Sequence, residues 1–133
     1  MSQVRTLTPE DILARHPGAI GQLVNRVRAI VADSLSDYEE RPYAGWHAIG
    51  FVHAEAGYFC GLFPTDEELS IVFEHGRELA DPAGILEGDY KQIRTITLNR
   101  LADLERIESP LRVLLFESVE LGRARRARRK GTS

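Results

Sequence analysis

The chain has 133 residues, of which 43% are apolar, 28% charged and 8% aromatic, and its formal net charge is −3. This composition excludes a disordered, fibrous or membrane-embedded chain, and a fold of this length hides roughly two-thirds of the surface its unfolded form exposes, enough for one core without metal or disulfide staples. Cys60 is the single cysteine, so an intrachain disulfide and a multi-cysteine zinc site are ruled out, and a reducing, cytoplasmic setting is expected.

The opening MSQVRTLTPED has no apolar segment of the signal-peptide kind, and the longest strictly apolar runs, at 29–32 and 113–116, are far shorter than the about 20 residues of a membrane span. Thr8 ahead of Pro9, Glu10 and Asp11 predicts a capped helix start, which His16-Pro17-Gly18 breaks. From Ile20 the apolar residues Leu23, Val24, Val27, Ile30, Val31 and Leu35 recur at intervals of three and four, the stripe of an amphipathic helix. SDYEERP, at 36–42, is polar, ends in proline and reads as a connection.

Three strand-like runs follow at 48–53, 58–63 and 69–75, short and rich in β-branched and aromatic residues. The short links between them imply an antiparallel meander. Residues 76–89 hold Asp-Pro and three glycines and read as a loop pinned by Leu79, Ile85 and Leu86. A fourth strand is expected at 92–98, then a helix over 101–107 capped by Asn99, and a last helix after Ser109-Pro110 carrying Leu111, Leu114, Leu115 and Leu121. The expected fold is therefore α+β over residues 1–122: a four-stranded antiparallel meander with two N-terminal and two C-terminal helices packed on it.

A basic tail, 123–133, completes the chain. RARRARRK at 123–130 holds six of the 17 basic residues, leaving 11 basic against 20 acidic side chains elsewhere, a net of −9. Arg123, Arg125, Arg126, Arg128, Arg129 and Lys130 could therefore meet nucleic-acid phosphates, with salt-sensitive affinity because no aromatic residue is interleaved for stacking. The competing reading is a solvated helix end whose arginines suit the macrodipole.

The candidate chemistry lies in the middle of the chain. A tight turn over Ala56-Gly57 would set His53 opposite Cys60, so the imidazole could lower the thiol pKa; the alternative is a buried cysteine beside a hydrogen-bonded histidine. On the other sheet face Ala48, Gly50 and Gly61 are small and could leave a depression bordered by Tyr43, Trp46, His47, Glu74 and His75, the makings of a small-molecule pocket unless a helix, a second subunit or Trp46 fills it.

Metal spacing is weak. His47 and His53 are six residues apart, His75 is remote, and no HxH or HExxH occurs. Acid clusters at Asp37, Glu39, Glu40 and at Asp66, Glu67, Glu68 could bind hard cations through oxygen or simply be solvated. GILEGDYK at 84–91 lacks the Gly-Lys-Ser/Thr core of a phosphate loop, although Lys91 and Arg94 could contact an anion, and no Gly-x-Ser-x-Gly elbow is present.

The stretch from Tyr43 to Asp103 resembles the YdhG-like domain-of-unknown-function family, through GFVHAEAGYFCGLFP, FEHGRELADPAGILEGDYKQIR and LADL. The resemblance implies an α+β fold with an antiparallel sheet under terminal helices. One branch of that family includes a bacterial frataxin-like iron chaperone that works through acidic surface residues, which implies possible iron binding, here by Glu39, Glu40, Glu67 or Glu68, with no ligand motif carried over. The sequence thus points to a cytoplasmic binding or accessory domain, monomer or homodimer, rather than an enzyme, with a small-ligand pocket on the sheet. An iron chaperone and a nucleic-acid-associated protein are the alternatives.

Overall fold

In the computed structural model, which describes residues 6–131, the elements run α1 (Pro9–Leu13), α2 (Gly18–Ser34), β1 (Tyr38–Tyr43), β2 (Ala48–His53), β3 (Gly57–Pro64), β4 (Leu69–Phe73), a 3₁₀ turn (Gly76–Glu78), β5 (Arg94–Leu98) and α3 (Leu101–Gly131). The α+β class and the antiparallel meander hold. The sheet has five strands in sequence order, however, and the described helices number three.

The first helix starts as its residues dictate. Thr8 Oγ1 accepts the Asp11 N–H, and the Asp11 carboxylate accepts the Thr8 N–H at 2.8 Å, a reciprocal capping box ahead of Pro9. α2 buries Ile20, Leu23, Val24, Val27, Ile30 and Val31, the periodic stripe itself. These side chains pack with Ile49, Phe51, Cys60, Leu62, Leu69, Ile71, Phe73, Ile96 and Leu98 of the sheet and with Leu104, Leu111, Leu114 and Leu115 of α3. Alternation along each strand sends these sheet residues to one face, which the two long helices cover.

Two elements differ in kind from expectation, while β4 and β5 are each two residues shorter, ending at Phe73 and starting at Arg94. Residues 38–43 form β1, paired with β2 from Tyr38↔His53 to Tyr43↔Ala48. An edge strand has one neighbour, so it carries Glu39, Arg41 and Pro42 without the apolar signature of a central strand. The two expected C-terminal helices are one 31-residue helix with Pro110 inside it. Proline in a helix interior removes one hydrogen bond and costs about 3 kcal/mol. Buried Leu104, Leu111, Leu114 and Leu115 lie on both sides of Pro110, and at up to about 3 kcal/mol for each side chain removed from water they outweigh it. The basic segment from Arg123 continues the same helix to Gly131, and residues 132–133 lie outside the described range.

The β2–β3 register also differs. The pairs are Ile49↔Leu62, Gly50↔Gly61 and Phe51↔Cys60, then Val52↔Tyr58 and His53↔Gly57 after a bulge that leaves Phe59 without an opposite residue. His53 is therefore not opposite Cys60. The cause is local: His53 Nδ1 accepts the N–H groups of Glu55 and Ala56 at 3.1 and 3.2 Å, and Gly57 takes φ +77°, closing a three-residue turn earlier than the sequence suggests.

Candidate functional site

The nine candidate site residues are divided between the two ends of the sheet and its core. At one end lie the β1–β2 turn, with Trp46 and His47, and the β3–β4 turn, with Asp66. At the other, about a strand length away, lie the β2–β3 turn, the residues after β4, and the last turns of α3.

The hollow expected over Gly50 and Gly61 is filled by the protein's own rings. A Cβ on Gly50 would sit 2.5 Å from Tyr43 Cε2 and 2.8 Å from Tyr58 Cε2, and one on Gly61 would sit 2.4 Å from the Tyr58 hydroxyl. The paired glycines seat tyrosines. Tyr43 stacks 5.4 Å from Trp46 and meets Tyr58 edge-on at 6.5 Å, while Trp46 itself is 65% exposed. Burial pushes the Tyr58 phenol far above its ordinary pKa.

Cys60 is fully buried in the core cluster, and burial drives its thiol far above the usual range. A thiol held protonated in an apolar setting is no nucleophile. His53, 6% exposed, spends Nδ1 on the turn. It also borders a surface groove of about 560 Å³ with Asp37, Tyr38, Glu39 and Arg126. Lys91 lies 5.3 Å from the Tyr90 ring, and Arg94 Nη1 donates to the carbonyls of Lys91 and Ile93 at 3.0 and 2.6 Å, so both serve their own loop.

His75 and Glu74 are placed differently. His75 follows β4 and lines a cleft of about 230 Å³ together with Gly57, Tyr58, Glu74, Gly122, Arg125, Arg126 and Arg129. It also lines a neighbouring cavity of about 580 Å³ with Arg77, Glu78, Gln92 and Arg125. Its Nδ1 is buried and has no hydrogen-bond partner. Burial first, then the positive charge of Arg125, lowers the His75 pKa, so the ring is neutral at pH 7. A neutral imidazole among guanidinium groups can donate a ring N–H to an anion whose charge the arginines balance.

The arginines reach the cleft because α3 runs the length of the sheet. Gly122 lets the helix press on the β2–β3 turn: a Cβ there would come within 2.7 Å of Ala56 Cβ and 2.9 Å of its carbonyl oxygen. Arg123 donates to Glu55 at 3.0 Å, Arg125 to Glu78 at 2.5 Å and Arg126 to the Glu55 carbonyl at 3.5 Å. These contacts hold the helix end to the turn and the 3₁₀ segment. Sequence reading saw a basic run and a histidine separately; their meeting is tertiary and left no local signal.

At the opposite end the structure brings His47 to His16, which sequence reading treated as a helix breaker. Their Nε2 atoms are 2.6 Å apart, and His16 Nδ1 meets Asp66 Oδ1 at 2.9 Å. Of the candidate acidic residues, Glu40 bonds Arg28 at 2.7 Å and Glu39 bonds Arg41. Among the described residues no three His, Cys, Asp or Glu side chains are grouped so as to hold a metal ion. Nor is any described helix long and apolar enough to cross a membrane. Comparison with protein-family models, curated proteins and solved structures finds no match to this chain.

Proposed function

We propose that the chain is a binding module for a small anionic ligand, a phosphate or phosphorylated small molecule, received in the cleft between the β2–β3 turn, the end of β4 and the last turns of α3. The observation that carries this reading is the cleft itself, in which His75 is brought together with Arg125, Arg126 and Arg129. Glu74 is the one acidic side chain among its lining residues, which include Arg125, Arg126 and Arg129, Arg125 also holding Glu78. Preorganisation favours binding, since Gly122 lets α3 come close to the Ala56 backbone, Gly57 leaves room for the Arg126 guanidinium, and Arg125 and Arg126 are already oriented by Glu78 and the Glu55 carbonyl.

A small anion is preferred to a nucleic-acid backbone because the basic segment continues α3 against the β2–β3 turn, so that Arg125, Arg126 and Arg129 line one cleft rather than a free tail. Iron delivery through Glu39, Glu40, Glu67 or Glu68 is less favoured: Glu39 and Glu40 already hold arginines, and among the described residues no three His, Cys, Asp or Glu side chains are grouped for a metal ion. The test is thermal denaturation of the full chain in pyrophosphate and in ADP, at matched ionic strength. A ligand at 100 times its Kd adds about 2.7 kcal/mol, and in a domain of this size that raises Tm by on the order of 10 °C. His75→Gln and the pair Arg125→Gln with Arg126→Gln should each weaken binding about tenfold or more, each removing interactions worth at least about 1.4 kcal/mol. No shift up to about 10 mM ligand, weaker than the millimolar affinity worth about 4 kcal/mol, or equal shifts in the variants, would overturn the proposal.

A further inference from the structure

The end of the sheet away from the arginine cleft carries a second, independent arrangement. His16 sits in the connection between α1 and α2, His47 closes the β1–β2 turn, and Asp66 lies in the β3–β4 turn. Three loops separated by 31 and 50 residues in sequence thus present two imidazoles and a carboxylate to one another.

Hydrogen-bond chemistry fixes the tautomers. The Asp66 carboxylate accepts from Nδ1–H of His16, which leaves the His16 Nε2 lone pair pointing away from the carboxylate, toward His47. His47 then donates its Nε2–H across the 2.6 Å contact. A carboxylate on the far nitrogen of a histidine is the arrangement that orients imidazoles on metal ions and raises their basicity. We propose that His16 and His47 form a two-imidazole site for a borderline transition-metal ion of the Zn²⁺, Ni²⁺ or Cu²⁺ class, with Asp66 positioning the His16 ring.

The change needed is small. Two nitrogens about 2.0–2.1 Å from one tetrahedral ion lie roughly 3.3 Å apart, so the Nε2 atoms must separate by less than 1 Å from their 2.6 Å contact. Both rings sit on loops, and His47 already takes the left-handed backbone, φ +50°, that histidine tolerates better than most residues. The proton balance closes within the site: the proton on His47 Nε2 moves to Nδ1, both Nε2 lone pairs face the ion, and no proton leaves the pair. Arg15 opposes a cation at the same place, and Asp66 offsets it. The His16 side chain is 8% exposed and Asp66 72% exposed, so the ion would sit at the rim of the fold with water open to it. Two protein nitrogens are fewer than the donors of a resident structural metal, so the ion would be exchangeable, with water or an incoming ligand completing its shell.

Trp46, the single tryptophan, adjoins His47 and reports on the site. The experiment titrates the full, tag-free chain with Ni²⁺ and Cu²⁺ while following tryptophan fluorescence, then adds Zn²⁺ in excess. Saturable quenching that Zn²⁺ reverses is expected. His16→Gln and His47→Asn, the latter chosen to suit the left-handed backbone, should abolish it, and the exposed Asp66→Asn should weaken it about tenfold. His53→Gln and His75→Gln should leave it unchanged. Should either ring variant fail to fold, Asp66→Asn still decides, through the loss of the Tm increase that Zn²⁺ gives the native chain. Quenching that does not saturate, or that is the same in His16→Gln and His47→Asn, or an undiminished Zn²⁺ effect in Asp66→Asn, would overturn the proposal.

Discussion

The two ends of the sheet are built from the same materials, hairpin turns and histidines, yet they present opposite chemistry. At the His16–His47 end the rings bond one another and a carboxylate, so imidazole nitrogens and an acceptor oxygen gather there. At the His75 end the ring has a buried, unpartnered nitrogen and arginines around it, so donors converge. The difference comes from what each end packs against: loops at the first, and at the second the closing turns of a helix loaded with arginine. A histidine takes its role from the charge of its neighbours, and here the path of α3 sets that charge.

The strongest way to break the comparison is to part α3 from the turn it presses on. Gly122→Val would drive a side chain into the Ala56 backbone and should cost about 2–3 kcal/mol, seen as a lower denaturation midpoint. Pyrophosphate stabilisation should vanish with the cleft while Ni²⁺ quenching of Trp46 persists. Loss of both, in a chain that still folds, would show that the ends are not independent.

Cys60→Ser comes next. The hydroxyl would enter a site with no exposed surface, and burying it without a full set of partners should cost about 1–3 kcal/mol. In the native chain the thiol should react with a thiol reagent only as fast as the protein unfolds. Rapid labelling under native conditions would contradict a protonated, inaccessible sulfur.

A pH experiment sharpens the contrast at smaller amplitude. His75 and His47 both have folded pKa values below the ordinary 6.5, so the unfolded chain binds protons that the folded chain refuses. Stability from these two groups is therefore full above about pH 6.5 and falls as pH drops from there toward their lowered folded values. His75→Gln should flatten part of that decline, measured as Tm between pH 7.5 and 5.5, whereas an unchanged slope would count against the burial of this ring. Arg123→Ala, which removes exposed pairs to Glu55 and Glu120, should leave Tm without a resolvable change.

How much of this was readable from residues alone depends on how local each cause is. The Thr8 cap, the α2 stripe and the bounds of β2 follow from neighbouring side chains, and the structure repeats them. β1 escaped because an edge strand has no apolar pattern to show. The helix break expected at Pro110 failed because tertiary burial of leucines on both sides outweighs a local penalty. Gly50 and Gly61 signalled close approach correctly, but the approaching groups are Tyr43 and Tyr58, rings laid over strand glycines, and not a ligand. Of the candidate site residues, His75 and Glu74 border the cleft while Tyr43, Trp46 and His47 lie at the other end. The partners that give the histidines meaning, Arg125 and Arg126 for His75 and His16 for His47, are distant in sequence and legible only once the chain is folded.

The most direct test of the anion cleft is a residue-resolved titration of the uniformly ¹⁵N-labelled chain with pyrophosphate, followed through backbone amide shifts. Saturable movement should concentrate at Gly57, Glu74, His75, Gly122 and Arg126, with His16, Trp46 and Asp66 still. Shifts confined to the His16 end, or none at saturating pyrophosphate, would contradict it.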